Sequence, residues 1–260
     1  MNRDRAMSIL EHLDEFKRRM IRVVIVLVIF TIIAAVFYEP IFNFLQAPAI
    51  EALDKADGDI IFTQVAEAWG AAMKVAVIIG FAATMPYFLL ELTLFLRTGL
   101  QPHERRYLYF FFPFATISFA AGVWFGFAML IPPAIKFLLT FGAELATPYP
   151  TIGSYVGLLI SLSFWMGLIF ELPIVMFFIT KLGAASSAWF IKQWRWTVLF
   201  AFVLGAVVTP TFDPVTQSLV AGPVILLYAT GTALAWFAER GKTHSESESP
   251  VSETTSGAGD

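Results

Sequence analysis

Six long apolar runs divide this chain, and the segments joining them are alternately rich and poor in Lys and Arg. Fourteen of the seventeen basic residues fall into four alternate segments. Arg3, Arg5, Lys17, Arg18, Arg19 and Arg22 lie at the entrance to the first run; Arg97, Arg105 and Arg106 separate the second from the third. Lys181, Lys192 and Arg195 separate the fourth from the fifth, and Arg240 and Lys242 follow the sixth. The other side holds only Lys55, Lys74 and Lys136, among seven acidic residues: Glu39, Glu51, Asp54, Asp57, Asp59, Glu67 and Glu144. Cytoplasmic loops of membrane proteins carry the excess of positive charge. The chain is therefore expected to be an all-α polytopic membrane protein with six transmembrane helices and both termini in the cytoplasm.

Composition agrees. A soluble domain could not hide 58% hydrophobic residues, 27 of the 260 being Phe, with only 14% charged, whereas a helical bundle can turn that surface to lipid. The spans are expected near 21–37, 69–96, 107–131, 155–180, 194–208 and 215–237. Residues 1–20 form a cytoplasmic amphipathic helix, 21–238 the membrane domain and 239–260 a disordered tail rich in Ser, Glu, Thr and Gly. The N-terminal helix is read from Ile9, Leu13, Phe16 and Met20, which share one face and suit the headgroup layer before the chain turns, near residue 20, into the bilayer. Arg18 and Arg19 before an apolar run also look like an export signal, but five further runs argue for a retained anchor. The fifth span is short: about 15 residues reach only ~22 Å across a core of ~30 Å. The segments 39–68 and 132–154 are long enough to build an outer cap. Gly122 with Gly126, and Gly153 with Gly157, are spaced to let helices approach closely.

Enzyme chemistry finds little support. All three histidines, His12, His103 and His244, lie outside the spans, so no intramembrane Ser-His pair or histidine metal site can form. Gly241-Lys242-Thr243 copies the end of a phosphate-binding loop, yet Trp236 stands where the first glycine belongs. No cofactor, metal or nucleic acid is implied. The absence of cysteine excludes disulfides and thiolate sites.

Several polar groups admit two readings. Glu15 either pairs with Arg18 or Arg19 one turn on, or is kept for a ligand. Glu104, after Pro102, either complements a helix N-terminus or binds a cation. Asp213-Pro214 has the form of a helix cap and first turn, with Gln217 one turn later. Glu91 either reaches water or joins a polar cluster. Glu171 stands inside an apolar helix, about 25 Å along from Tyr155. Intramembrane carboxyls are costly and mark functional sites, and Pro173 frees a backbone carbonyl nearby.

Together these pieces resemble the TatC family, the receptor subunit of the twin-arginine protein translocase. The resemblance covers roughly residues 8–238. It rests on His12-Leu13-Asp14-Glu15, on Ala47-Pro48 in the first outer loop, and on Phe95 followed by His103-Glu104-Arg105-Arg106. It continues through Phe170-Glu171-Leu172-Pro173 and Thr209-Pro210 with Asp213 and Gln217. What it implies is a concave six-helix bundle in the plasma membrane that binds the Arg-Arg signal peptide of folded precursors. It would assemble with single-span TatA-type and TatB-type subunits and with further copies of itself. By the same resemblance Glu15 and Glu104 read the signal arginines, with Phe95, His103, Arg105 and Lys17 beside them. Glu171, Gln217 and Asp213 would line the concave, partner-facing side, and Pro48 would shape the outer loop. Two guanidinium groups do call for two carboxylates. The chain departs from the family in Lys17, where Arg is usual, and in Thr98, where Pro is usual, which would loosen the turn that follows. The alternatives are a proton-coupled small-solute carrier titrating at Glu171, and a scaffold indifferent to both Glu15 and Glu104.

Overall fold

A computed structural model describes residues 9–54, 60–99, 105–141, 147, 149–209 and 213–247. Helix α1 (Ile9–Val36) runs unbroken for 28 residues. The expected amphipathic helix is therefore the first part of the first span and not a separate element. The segment contains neither Gly nor Pro, and an Arg19–Glu15 pair at i,i+4 supports the helix across the anticipated turn. At about 42 Å it exceeds the hydrocarbon thickness, so its first turns stand clear of the apolar layer.

Helix α2 (Tyr38–Asp54) follows, then α3 (Glu67–Gly99). Helix α4 (Arg105–Phe125) continues through a π turn at Gly126–Leu130 into α5 (Ile131–Thr140). The third span thus extends beyond residue 131 as one apolar run, Leu108–Thr140. Helices α6 (Ile152–Phe170) and α7 (Leu172–Lys181) form the fourth span, broken at Glu171. Short α8 (Ser187–Lys192), α9 (Trp194–Val208) and α10 (Pro214–Ser247) complete the described chain.

Five of these runs are long and apolar enough to cross a bilayer; α9, with 15 residues, is the exception. Among the described residues the fold therefore offers five to six candidate spans, with α9 as short as expected. Neighbours satisfy the end of the short helix. The Ser161 hydroxyl donates to the Val208 carbonyl, Gln217 Nε2 to the Phe202 carbonyl at 2.5 Å and Thr209 Oγ1 to the Gly205 carbonyl at 2.9 Å. The terminal Val208 carbonyl, which would be orphaned inside a membrane, is thereby bonded.

Helix α6 lies at the centre of the bundle, with Leu162 and Met166 fully buried. Its approach to α4 depends on two glycines. A Cβ at Gly122 would sit 2.8 Å from Phe170 Cβ, and one at Gly126 would sit 2.8 Å from Ser163 Cα. Backbone this close excludes any larger residue. Gly153 and Gly157 do not act as such a pair, since a Cβ at Gly157 would meet nothing within 4 Å. Ile25, Val28, Phe114, Ile117 and Phe200 face outward, the surface a bilayer covers.

The ends of the bundle differ. At one, α2, α5 and the connecting segments form the expected cap: Ile61 and Thr151 make a bridge, and Ile152 N–H donates to the Ile61 carbonyl at 2.9 Å. Glu67 ties both segments down, accepting from Thr63 N–H at 2.8 Å and from Gly153 N–H at 3.0 Å, the latter in the first turn of α6. The Tyr155 hydroxyl reaches back to the Leu45 carbonyl of α2. The opposite end gathers the start of α1, the end of α3, the start of α4 and the region from Lys181 to Arg195. All the described members of the four basic segments lie here. Helix α10 also ends here and continues past Glu239, where a disordered tail is expected, as far as Ser247. A helix already nucleated extends cheaply through Ala, Glu, Arg and Lys. Glu239 is moreover held, accepting from Ser187 N–H at 2.7 Å and from the Ser187 hydroxyl.

Candidate functional site

At the basic end, α1 and α3 enclose a compact polar cluster with an aromatic wall. The i,i+4 rule places Glu15 and Arg19 on one face of α1, and Tyr87, Glu91 and Phe95 on one face of α3. Where the faces meet, Arg19 lies between two acids. Its Nε and Nη2 both point at Oε1 of Glu15, at 3.1 and 2.5 Å, and its Nη1 donates to Oε2 of Glu91 at 2.8 Å. The other oxygen of Glu91 accepts from the Tyr87 hydroxyl at 2.8 Å and faces Arg22 Nη1 at 2.9 Å. Glu91 is only 1% exposed. A carboxylate so buried persists because both of its oxygens are bonded to donors, two of them cationic.

Glu15 is different. Its Oε1 takes both bonds from Arg19, while its Oε2 is buried with no hydrogen-bond partner among the described residues. Beside it His12 stacks on Phe95, with ring centroids 4.3 Å apart and planes 18° from parallel, and Phe16 leans on the same ring at 5.2 Å. The aromatic wall lowers the local dielectric and strengthens any charge-assisted bond made there.

Of the residues assigned to this site from sequence, Glu15 and Phe95 come together. Lys17 is exposed, and Arg105 is half-buried at the first position of α4. His103 and Glu104 lie outside the described residues. The turn that Thr98 is expected to loosen lies outside the described residues; α3 itself continues to Gly99, and the Thr98 hydroxyl bonds the Phe95 carbonyl at 2.7 Å. Glu91 is the residue that sequence reasoning left unassigned. Its position one turn before Phe95 was the available signal; the two arginines that hold it come from a helix some seventy residues away.

Glu171 occupies the break between α6 and α7. Pro173 prevents the helical bonds from continuing, and the Phe170 carbonyl, the last of α6, accepts from the Ser118 hydroxyl of α4 at 2.7 Å. Glu171 is 8% exposed, and its carboxyl group makes no side-chain hydrogen bond among the described residues, the Phe119 backbone of α4 being the polar group that faces it. Asp213 and Gln217 do not join it. A Cβ at Gly231 of α10 would sit 3.0 Å from Pro173 Cα, so Gly231 is level with the break, and Gln217 is roughly 21 Å further along the helix. Asp213 caps α10 through Thr216 N–H at 2.6 Å, and Gln217 ties α10 to α9. An apolar cavity of about 670 Å³ opens between α2, α3, α4 and α6, lined by Phe44, Pro86, Trp124, Leu159 and Ser163 among others; Glu171 is not part of its lining. Pro48 lies within α2.

Comparison with known proteins points one way. The profile of the family described as Sec-independent protein translocase protein (TatC) matches residues 11–223. A Sec-independent protein translocase protein TatC from Carboxydothermus hydrogenoformans is 33% identical over 234 residues, 90% of this chain and 95% of the relative. One from Synechocystis is 34% identical over 230 residues, 88% of this chain and 87% of the relative. Among solved structures, a crystal structure of the twin-arginine translocase receptor TatC superposes with a TM-score of 0.81 at 30% identity, covering 88% of this chain and all of the other.

Proposed function

The chain belongs to the TatC family of Sec-independent protein translocases, and on that premise we propose that it is the receptor that binds the Arg-Arg signal of folded precursors through Glu15. One observation carries the reading: Glu15 keeps a buried carboxylate oxygen without a donor, on the stretch of α1 whose His12 and Phe16 pack on the ring of Phe95, at the basic end of the bundle. A guanidinium supplies the planar, charged donor that such an oxygen lacks. Glu104 is the second acid of the pair. By the family resemblance His103, Arg105 and Lys17 belong to the signal-binding segments and favour the acidic and polar parts of a bound peptide. The apolar stretch of the signal lies along the cavity between α3, α4 and α6. Glu171, an unpaired carboxyl inside the bundle, is the contact for single-span partner subunits of the TatA and TatB type, and the complex contains several copies of this chain.

The solubilised full chain is expected to capture a precursor bearing consecutive arginines and to lose it when both are changed to lysine, which keeps the charge but not the fork. Equal capture of the two precursors removes Glu15 from the role of arginine reader.

The basic residues gathered at the site's end imply that this end is cytoplasmic, with both termini on that side. Because the chain has no cysteine, single cysteines introduced at Thr98 and Ser186 should react with an impermeant maleimide only from the cytoplasm. Cysteines at Asp57 and Ala146 should react only from outside. Labelling of Asp57 and Ser186 from one side overturns the orientation.

A further inference from the structure

We infer that Glu91 is a positioning residue for signal binding, holding Arg19 out of register so that one oxygen of Glu15 is kept without a donor for the incoming guanidinium. The inference rests on the reading of Glu15 as the arginine-binding acid, and it begins with the geometry of Arg19. A guanidinium left to itself beside a carboxylate forms a fork, one N–H to each oxygen. Here the fork is not formed. Nε and Nη2 converge on the single oxygen Oε1 of Glu15, and Nη1 is drawn to Glu91 at 2.8 Å. Glu91 is itself immobilised by the Tyr87 hydroxyl and Arg22 on its other oxygen. The pull on Arg19 is therefore directional, and Oε2 of Glu15 remains without a donor.

Arg19 is thus an internal competitor of the same chemistry as the ligand. It sits on the same carboxylate, four residues away on the same helix, at a very high effective concentration. Without the charge on Glu91 it would lose its second partner and settle as a full fork on Glu15, covering the oxygen that a signal arginine needs. The four groups Glu15, Glu91, Arg19 and Arg22 sum to zero charge, so removing Glu91 also leaves a surplus positive charge. The experiment has to separate register from charge.

Binding of a twin-arginine precursor to the full chain in membranes, quantified by cross-linking or by titration, makes that separation. Glu91→Gln should weaken binding about tenfold, the scale on which a close charged competitor acts. Adding Arg19→Gln to it should restore wild-type affinity, because the competitor is gone. Adding Arg22→Gln instead restores the same net charge but leaves Arg19 free to close on Glu15, so binding should stay weak. Equal rescue by the two second-site changes means that Glu91 only balances charge, and this overturns the proposal, as does wild-type binding by Glu91→Gln. Should Glu91→Gln fail to accumulate, Glu91→Asp keeps the charge and shortens the reach by one methylene. It should release Arg19 and weaken binding, and unaltered binding in that variant also overturns the proposal. Glu15→Gln serves as the control for the underlying reading: if it binds precursor like wild type, the reading of Glu15 has failed, whereas loss of binding in Glu15→Gln with none in the Glu91 variants refutes the role of Glu91 alone.

Discussion

Replacing Glu15 by Ala should abolish or severely weaken capture of twin-arginine precursors while the protein still inserts and accumulates. The site then holds Arg19 and Arg22 against Glu91 alone, and a basic signal meets a net positive charge where it met none. Removing one member of a largely desolvated charge pair typically costs ~2–5 kcal/mol, roughly thirty-fold or more in affinity. What the isolated chain loses is an i,i+4 pair on a helix, worth only about 0.2–0.5 kcal/mol, and Arg19 keeps its bond to the buried Glu91. Binding should therefore fail long before folding does. Glu104→Ala should behave alike, and Glu104→Gln nearly as badly, since Gln keeps the shape and loses the charge. Precursor pull-down together with membrane abundance decides the matter. Wild-type capture by the Gln variant, or loss of the protein itself in both Ala variants, would make these acids helix-stabilising groups and not readers of a signal.

Glu171→Leu should leave abundance and precursor binding intact, or raise thermal stability, and yet abolish export. Within the chain Glu171 makes no side-chain hydrogen bond among the described residues, and the Phe119 backbone that faces it lies inside a helix, so its removal breaks no tie between side chains. The Phe170 carbonyl at the break is served by Ser118 and not by the carboxyl group. Exchanging an unpaired buried polar group for an apolar one of similar size is commonly neutral or stabilising. A costly group that serves nothing in the isolated subunit is best explained by a partner in the assembly. Export assayed in cells, beside a melting curve of the purified variant, makes the test. Normal export returns Glu171 to an incidental feature of the helix break, and a fall in stability shows that it supports the fold.

Membership of the membrane-protein class, the succession of helices and the outer cap were legible from residue order alone, because bilayer insertion responds to local quantities: the length of an apolar run and the charge beside it. The helix cap at Asp213 was legible for the same reason, since a cap involves residues three apart. Two boundaries were not. The turn expected near residue 20 is absent because a segment without Gly or Pro, Ile9–Val36, has no local cause to stop its helix, whatever layer it enters. The tail expected from residue 239 remains helical to Ser247 beside an anchor, the Ser187–Glu239 contact, that connects residues 52 apart.

The site divides along the same line. That Glu15 and Phe95 belong to the same, basic end of the bundle follows from motif and topology. Which carboxylate is committed and which is open does not, because it depends on α1 and α3 meeting in one register, at which Arg19 can reach Glu91 across 72 positions of sequence. Nor could sequence separate Glu171 from Asp213 and Gln217, all polar groups in or beside apolar runs, which the packing of Gly231 against Pro173 sets roughly 21 Å apart along α10. Sequence by itself determined where the chain meets lipid and which end is basic, since hydrophobic transfer and charge bias are summed residue by residue. Only the tertiary structure decided which charges neutralise one another, since an ion pair between helices depends on distances that no single helix contains.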